Sequence, residues 1–431
     1  MKYYFIGNLD YLKNLLFFEI KEKYEEGYQV NIAEYKDRVT RAKTYDELLR
    51  IYNELNNLEL RSDFKFVEPT DWERIIEERE KFTKIKVEKI EDKILGGWLG
   101  RCSGCMLGKP VEGWSREKIY EKLKSIGEYP LKKPYFPIEI FDDKESVKPL
   151  TRGNIIRAER DDDLDYTLLN LLVFERSGDS FSSEDIGNAW LSRLPYSLTY
   201  TAEREAYRNL VIGLKPPTTA FFLNPFREWI GAAIRADLWG YVAPGDPERA
   251  IEYAYRDAIV SHTKNGVYGE MYVSALVSLA FVYNDTLMLV KEALKAVPKR
   301  SRFAESISYV VSLYEKGTKW EKAITSIMEK YGVYHPVHVI NNECIVTAAL
   351  LWGEGDFTKT LYYAVLAGLD TDCNGATCGS IIGTMLGIKE IPWKWIHPLN
   401  DRLATALSGI NEQKISLLAK RTILLAKRNY N

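Results

Sequence analysis

Two short acidic runs stand where each meets a helical pattern. The first is Asp161-Asp162-Asp163, with Asp165 close behind, ahead of the apolar stretch Tyr166-Thr-Leu-Leu-Asn-Leu-Leu-Val-Phe174. The second is Asp370-Thr-Asp372, ahead of a glycine-rich segment. An aspartate at a helix start ordinarily caps the first turn and meets the positive end of the helix dipole, worth about 0.3–1 kcal/mol. Three in succession exceed what one cap needs. Carboxylates about 5 Å apart repel by about 3 kcal/mol at an effective dielectric of about 20, so a buried cluster asks for a cation. Oxygen donors without an accompanying Cys/His set favour Mg²⁺ or Mn²⁺ over Zn²⁺. Solvated capping explains either cluster alone; two such helix starts in one chain favour the cation.

The elements that must position these carboxylates carry a signature of their own. Glycine recurs every fourth residue at Gly96, Gly100, Gly104 and Gly108, and again at Gly375, Gly379, Gly383 and Gly387. Each glycine costs a helix about 1 kcal/mol relative to alanine, so each ladder gives up about 3–4 kcal/mol. A spacing of four places the glycines on one face. The compensation is close approach of another backbone, which only a face without Cβ atoms allows. Pro110 breaks the first ladder helix and leaves Glu112 just beyond its C-terminus. If the ladders pack antiparallel, Glu112 and the Asp370/Asp372 pair lie at the same end.

Around this core the pattern stays helical. Residues 1–88 read as charged amphipathic segments (Leu12 to Lys23, Ala33 to Ala42, Tyr45 to Leu58) and form a helical extension; 89–431 form the main domain. Asp185 to Leu194, Pro247 to Val260, Tyr268 to Tyr283 and Lys319 to Lys330 repeat apolar residues at three- and four-residue spacing. The proline-rich stretch Lys132 to Pro149 reads as a long loop with a short extended piece at Phe136 to Phe141. No alternating strand pattern is visible, so the expected class is all-α. Cys102 and Cys105 have no second CxxC and do not suggest zinc. His335 and His338 flank a proline and read as loop structure; His262 precedes what reads as a glycine-rich turn, Asn265 to Gly269.

Of 431 residues, 46% are hydrophobic and 28% charged, ample for a large core. Lys+Arg number 59 against 61 Asp+Glu, a net charge of −2, which excludes nucleic-acid binding by bulk charge. The best apolar runs, Met271 to Asn284 and Cys373 to Ile388, are too short for a membrane span. Lys2, Asp10 and Lys13 interrupt any signal-peptide core. Five cysteines make no disulfide framework, and the expected location is cytoplasmic.

Six short elements, in order between about residues 90 and 400, resemble the ADP-ribosylglycohydrolase family, the group that includes dinitrogenase-reductase-activating glycohydrolase. Gly108-Lys-Pro-Val-Glu112 matches the family's G-x-P-x-E, and Asp161-Asp162-Asp163-Leu164 its T-D-D-T. Ile230-Gly-Ala-Ala-Ile-Arg235 is similar to N-G-A-A-M-R. Gly245-Asp-Pro-Glu248 and Ser261-His262 resemble G-D-P-E and T-H, and Asp370-Thr-Asp-Cys-Asn374 closes the series. The resemblance implies an orthogonal all-α bundle holding two Mg²⁺ or Mn²⁺. It also implies hydrolysis of the N- or O-glycosidic bond joining ADP-ribose to an acceptor, the substrate being an ADP-ribosylated protein or a small-molecule riboside. By position, Asp162, Asp163, Asp370 and Asp372 become metal ligands and Glu112 the acid/base. Asp161 adds a carboxylate to the metal site where the family has threonine. Gly231, Ala232, Arg235 and His262 would line the ADP-ribose pocket. Cys373 and Ile230 replace a second threonine and the loop asparagine, which leaves the substrate open.

Three other readings share parts of this pattern. A nucleosidase-like hydrolase of small ribosides would use the same carboxylates. An inactive ADP-ribose-binding module would account for the replaced threonines and asparagine. Asp161-Asp162-x-x-Asp165 also spells the diphosphate-Mg²⁺ motif of all-α prenyl diphosphate synthases, although those need a large apolar cavity where the ladders call for close packing.

Overall fold

The computed structural model describes residues 7–430. Among them the only strands are the two-residue antiparallel pair Arg402–Leu403 and Gln413–Lys414. The rest is an assembly of α-helices, and the class is all-α as expected. Among the described residues, no helix is long and apolar enough to cross a membrane.

The glycine ladders form the central contact. Helix Ile90–Gly108 runs antiparallel against helix Thr371–Leu386, with Gly96 facing Gly383, Gly100 facing Gly379 and Gly104 facing Gly375. A Cβ built on Gly375 would sit 2.5 Å from the Gly104 carbonyl oxygen, inside any tolerable contact. Gly108 lies against the Thr371 backbone, and the Thr371 hydroxyl donates to the Gly108 carbonyl at 2.9 Å. At the other end, the Lys93 ammonium donates to the carbonyls of Ala280 (3.1 Å) and Met385 (2.7 Å), serving the last turn of the partner helix. Gly387 departs from the expected ladder. The helix ends at Leu386, and Gly387 is its cap at φ +80°, a left-handed geometry that suits glycine.

Residues 1–88 contribute helices Leu9–Glu25, Ile32–Arg41, Tyr45–Asn56 and Trp72–Glu78. A capping box between Thr44 and Glu47 starts the third. The first three close over a small core of their own (Leu12, Leu16, Ile20, Val39, Leu48, Leu55) that also takes in Leu223 of the body. Buried ions then lock helix Leu9–Glu25 down: the Arg227 guanidinium pairs with Glu19 at 2.8 Å and Glu26 at 2.8 Å. Burying an unpaired charge is very costly, so this fork only persists with both carboxylates in place.

Two local expectations change. Phe136 to Phe141 is not extended; it contains a 3₁₀ turn at Ile138–Ile140. Asn265 to Gly269 is no turn but the opening of helix Lys264–Ala280, which is buried along almost its whole length. There the glycines serve close packing: Gly266 against the Arg227 backbone and Gly269 against Val339.

Candidate active site

The antiparallel ladders bring one chain break and two helix starts to a common point. Helix Ile90–Gly108 gives way to a 3₁₀ turn at Lys109–Val111, and Glu112 follows in extended backbone. Proline in that turn supplies no N–H, so the α-helix cannot continue through it. Opposite, Asp370 caps helix Thr371–Leu386. Its backbone N–H donates to Asn342 Oδ1 at 3.2 Å, and Asn374 Nδ2 donates to the same oxygen at 2.9 Å. Helix Asp162–Ser177 supplies the third wall, with Asp161 as its cap accepting from the Asp163 N–H at 3.0 Å. Arg101, from the ladder helix and fully buried, donates to the Asp163 carbonyl at 2.7 Å and to Asp237 at 2.6 Å, anchoring that start.

These ends open on a cavity of about 410 Å³. Glu112, Asp161, Asp162, Asp370, Asp372 and Gly231 all line it. Donor atoms of Glu112, Asp370 and Asp372 lie within 4.8 Å of one another, and so do those of Asp163, Asp372 and Cys373, which makes Asp372 common to both groups. Asp163 Oδ2 and Asp372 Oδ1 are buried with no hydrogen-bond partner. Burial, followed by the charge of Asp370, pushes the Asp372 carboxyl well above its usual range. Burial and Asp161 do the same to Asp162 and Asp163. Burial, then Asp370 and Asp161, raise Glu112 to about 7. Such a set is unfavourable when ionised and alone, and two orphaned oxygens point into it; hard divalent cations fit these donors. Burial, then Asp163, raises the Cys373 thiol well above its ordinary range.

Asp161 is placed differently from its neighbours. One oxygen accepts from the Asp163 backbone and the other is ion-paired to Lys109. Burial opposes ionisation here, but the Lys109 ammonium carries the Asp161 carboxyl below its usual range. Lys109 is therefore a resident positive charge in the site.

Ala232, Arg235 and His262 do not line the cavity. Arg235 is fully buried and faces away, pairing with Asp257 at 2.9 Å and Glu203 at 2.7 Å, and donating to the Gly231 carbonyl at 3.2 Å and the Ser261 hydroxyl at 2.9 Å. Its work is to hold the 3₁₀ segment Ile230–Arg235 that presents Gly231. His262 shares a 2.8 Å hydrogen bond with Ser261, and burial, then Arg235, keep it neutral. Ala232 is packed in the core. Among the histidines that read as loop structure, His335 stacks on Trp229 at 4.0 Å and His338 accepts from the Ile340 N–H at 3.1 Å as a helix cap.

Asp165 points elsewhere too. Arg160 (2.8 Å), the Thr405 hydroxyl (2.5 Å) and the Ala406 N–H (3.1 Å) enclose it, so the three aspartates of the diphosphate-binding spelling do not converge. The residues that sequence reasoning missed are Lys109, Arg160, Tyr200, Thr201 and Glu203 on the cavity wall and Asn342 behind it. Lys109 stood inside the G-x-P-x-E element and was readable there. Glu203 lies on helix Thr201–Val211, whose charged pattern reads as a solvated face.

The chain is similar to known proteins. The sequence pattern of the family described as ADP-ribosylglycohydrolase matches residues 86–430. An uncharacterized protein of Archaeoglobus fulgidus is 25% identical over 340 residues, covering 76% of this chain and 100% of that protein. A solved structure titled "ADP-ribosylglycohydrolase-related protein complex" is similar at 18% identity and a TM-score of 0.49, covering 79% of this chain and 99% of its own. Most of the chain lies within the family pattern, Glu112 and both aspartate pairs included, and the protein belongs to the ADP-ribosylglycohydrolase family.

Proposed function

We propose that this chain is a metal-dependent hydrolase of ribosyl glycosides, cleaving the bond between the anomeric carbon and the nitrogen or oxygen of an acceptor. The observation that carries it is the gathering of Glu112, Asp370 and Asp372 within 4.8 Å, beside the orphaned Asp372 and Asp163 oxygens. Asp162, Asp163, Asp370 and Asp372 would hold two Mg²⁺ or Mn²⁺. Bound there, the cations supply orientation of the sugar hydroxyls and of water, and electrostatic stabilisation. Glu112, raised to about 7, holds a proton near neutrality and is suited to deliver it to the departing acceptor atom. The carboxylate left behind then takes a proton from the attacking water, while the surrounding aspartates offset positive charge developing on the sugar ring. Gly231 leaves room at the wall, where a Cβ would collide with the Glu203 carboxylate. The five cysteines are free and buried, which suits a reducing cytoplasm.

Glu112→Gln tests the assignment. It keeps shape and metal content while removing the proton, so hydrolysis of a ribosyl substrate should fall by about 10²–10⁴-fold. Asp161→Asn should have the smaller effect, because both Asp161 oxygens are engaged within the protein. Parental turnover in Glu112→Gln would remove the acid/base role, and loss of metal in that variant would make Glu112 a ligand instead.

A further inference from the structure

Two groups of elements build the cavity. The carboxylates Glu112, Asp161, Asp162, Asp370 and Asp372 stand at the ends of the ladder helices and of helix Asp162–Ser177. The remainder of the wall is Tyr200, Thr201 and Glu203, at the start of helix Thr201–Val211, with Ile230, Gly231 and Val337. The last three belong to a narrow antiparallel ribbon. In it the Ile230 N–H donates to the Val337 carbonyl at 3.0 Å, the Val339 N–H donates to the Glu228 carbonyl at 3.1 Å, and Trp229 pairs with His338. Backbone contact between the ladders fixes the carboxylate side. The other side contains a strained residue: Thr201 is β-branched yet sits at φ +40°, a conformation that persists only where the surroundings impose it.

Those surroundings include the extension. Successive residues of an extended ribbon point to opposite faces, so with Ile230 and Val337 in the cavity, Trp229 and His338 face away from it. Helix Leu9–Glu25 covers that outer face. The Phe18 ring lies 5.1 Å from Phe226, 5.9 Å from Trp229 and 6.3 Å from His335. Side-chain atoms of Glu22, Glu25 and His338 come within 4.8 Å of one another. Arg227, next to Glu228 in the chain, takes Glu19 and Glu26 at 2.8 Å each. Near its start the same helix reaches the second element, where the Tyr11 hydroxyl donates to Glu205, one turn past Thr201. One helix thus spans both elements that carry the wall opposite the carboxylates in sequence origin, and it lies outside the family pattern, which begins at residue 86.

We infer that the docked extension sets the substrate-binding wall, with Tyr11 and Phe18 as positioning residues that act through Glu205 and Trp229. Release of helix Leu9–Glu25 then weakens substrate binding and leaves the metal-binding carboxylates where the ladders put them. The inference rests on the hydrolase reading above and adds a control on that same site. Its physical basis is preorganisation: a wall held in place before binding does not have to be ordered by the substrate.

The full chain, loaded with Mn²⁺, is assayed on 4-nitrophenyl riboside and on ADP-ribosyl-arginine, and kcat and KM are taken on whichever the parent turns over. Phe18 is 37% exposed, so its truncation leaves the body's core intact. Tyr11→Phe combined with Phe18→Ala should raise KM by about 10-fold with kcat within about 2-fold, the pattern of lost binding that ground and transition states share. Calorimetric Mn²⁺ stoichiometry should stay parental. Phe18→Leu, which keeps apolar cover on Trp229, should hold KM within about 2-fold of the parent. Arg38→Ala breaks the Arg38–Glu54 pair inside the extension and should change neither constant. A parental KM in the double variant, an equal rise in Arg38→Ala, or a fall in kcat with loss of Mn²⁺ overturns the inference and leaves the hydrolase reading standing. Turnover of neither substrate by the parent overturns the hydrolase reading, and the inference with it.

Discussion

Gly375→Ala sets two local effects against a tertiary one. Gly375 lies in the second turn of helix Thr371–Leu386, between the Asp370/Asp372 pair and the rest of the ladder. Alanine is the better helix former by about 1 kcal/mol, so propensity alone predicts a more stable protein. The new methyl, however, would sit 2.5 Å from the Gly104 carbonyl oxygen and 3.1 Å from its carbon. Against an optimum of roughly 3.5 Å, the two backbones must part by about 1 Å. A carbonyl in a helix has no rotamer to escape into, so the overpacking cost should reach the upper part of the usual ~1–3 kcal/mol. The net expectation is destabilisation of about 2 kcal/mol. The same movement draws Asp370 and Asp372 away from Glu112, which sits at the end of the partner helix, so metal binding should weaken as well. Gly187→Ala is the control. It lies mid-helix in Ser183–Arg193, where a Cβ would be 2.9 Å from the flexible tip of Leu210, and it should be neutral or stabilising by up to about 1 kcal/mol. Denaturant midpoints compare stability, and calorimetric titration with Mn²⁺ compares the site. If Gly375→Ala proves as stable as Gly187→Ala, the ladders are not in backbone contact and the placement of Glu112 loses its support.

Calorimetry should find about two Mg²⁺ or Mn²⁺ per chain, and Asp372→Ala, which removes the ligand common to both donor groups, should eliminate at least one. Unchanged stoichiometry in that variant would rule out the paired site. Saturating metal at ~100 times Kd should add about 2.7 kcal/mol to parental stability, and EDTA should reverse it. Arg227→Ala takes the closest partner from buried Glu19 and Glu26, leaving Lys23 at 3.8–3.9 Å and, for Glu26, Lys264 at 3.2 Å, and should cost about 3 kcal/mol, with residues 1–88 becoming sensitive to limited proteolysis. Resistance equal to the parent would mean that the extension is held by its apolar contacts instead.

Spacing alone made much of the site legible. Glycines four apart share a helix face whatever the rest of the chain does, and a face without Cβ atoms has few uses besides backbone contact. Once Gly96 to Gly108 and Gly375 to Gly383 are paired antiparallel, Pro110 and the Asp370 cap put Glu112 beside Asp370 and Asp372 with no further information. Helix ends are local events, read from residues that break or cap. What sequence could not supply is which side of each element turns inward, because that depends on partners far along the chain. Arg235 sits in the matched loop, yet Asp257, Glu203 and Ser261 draw it into the interior, away from the cavity. Asp161 stands in a run of identical neighbours, and only the approach of Lys109, 52 residues earlier, sets it apart as an ion pair. Gly387 continues the four-residue spacing but lies beyond the helix end, where the chain turns back toward Asp92. Periodicity is a property of one segment, whereas the pairing of buried charges is settled by the whole fold, since each needs a partner and the chain brings that partner from a distance.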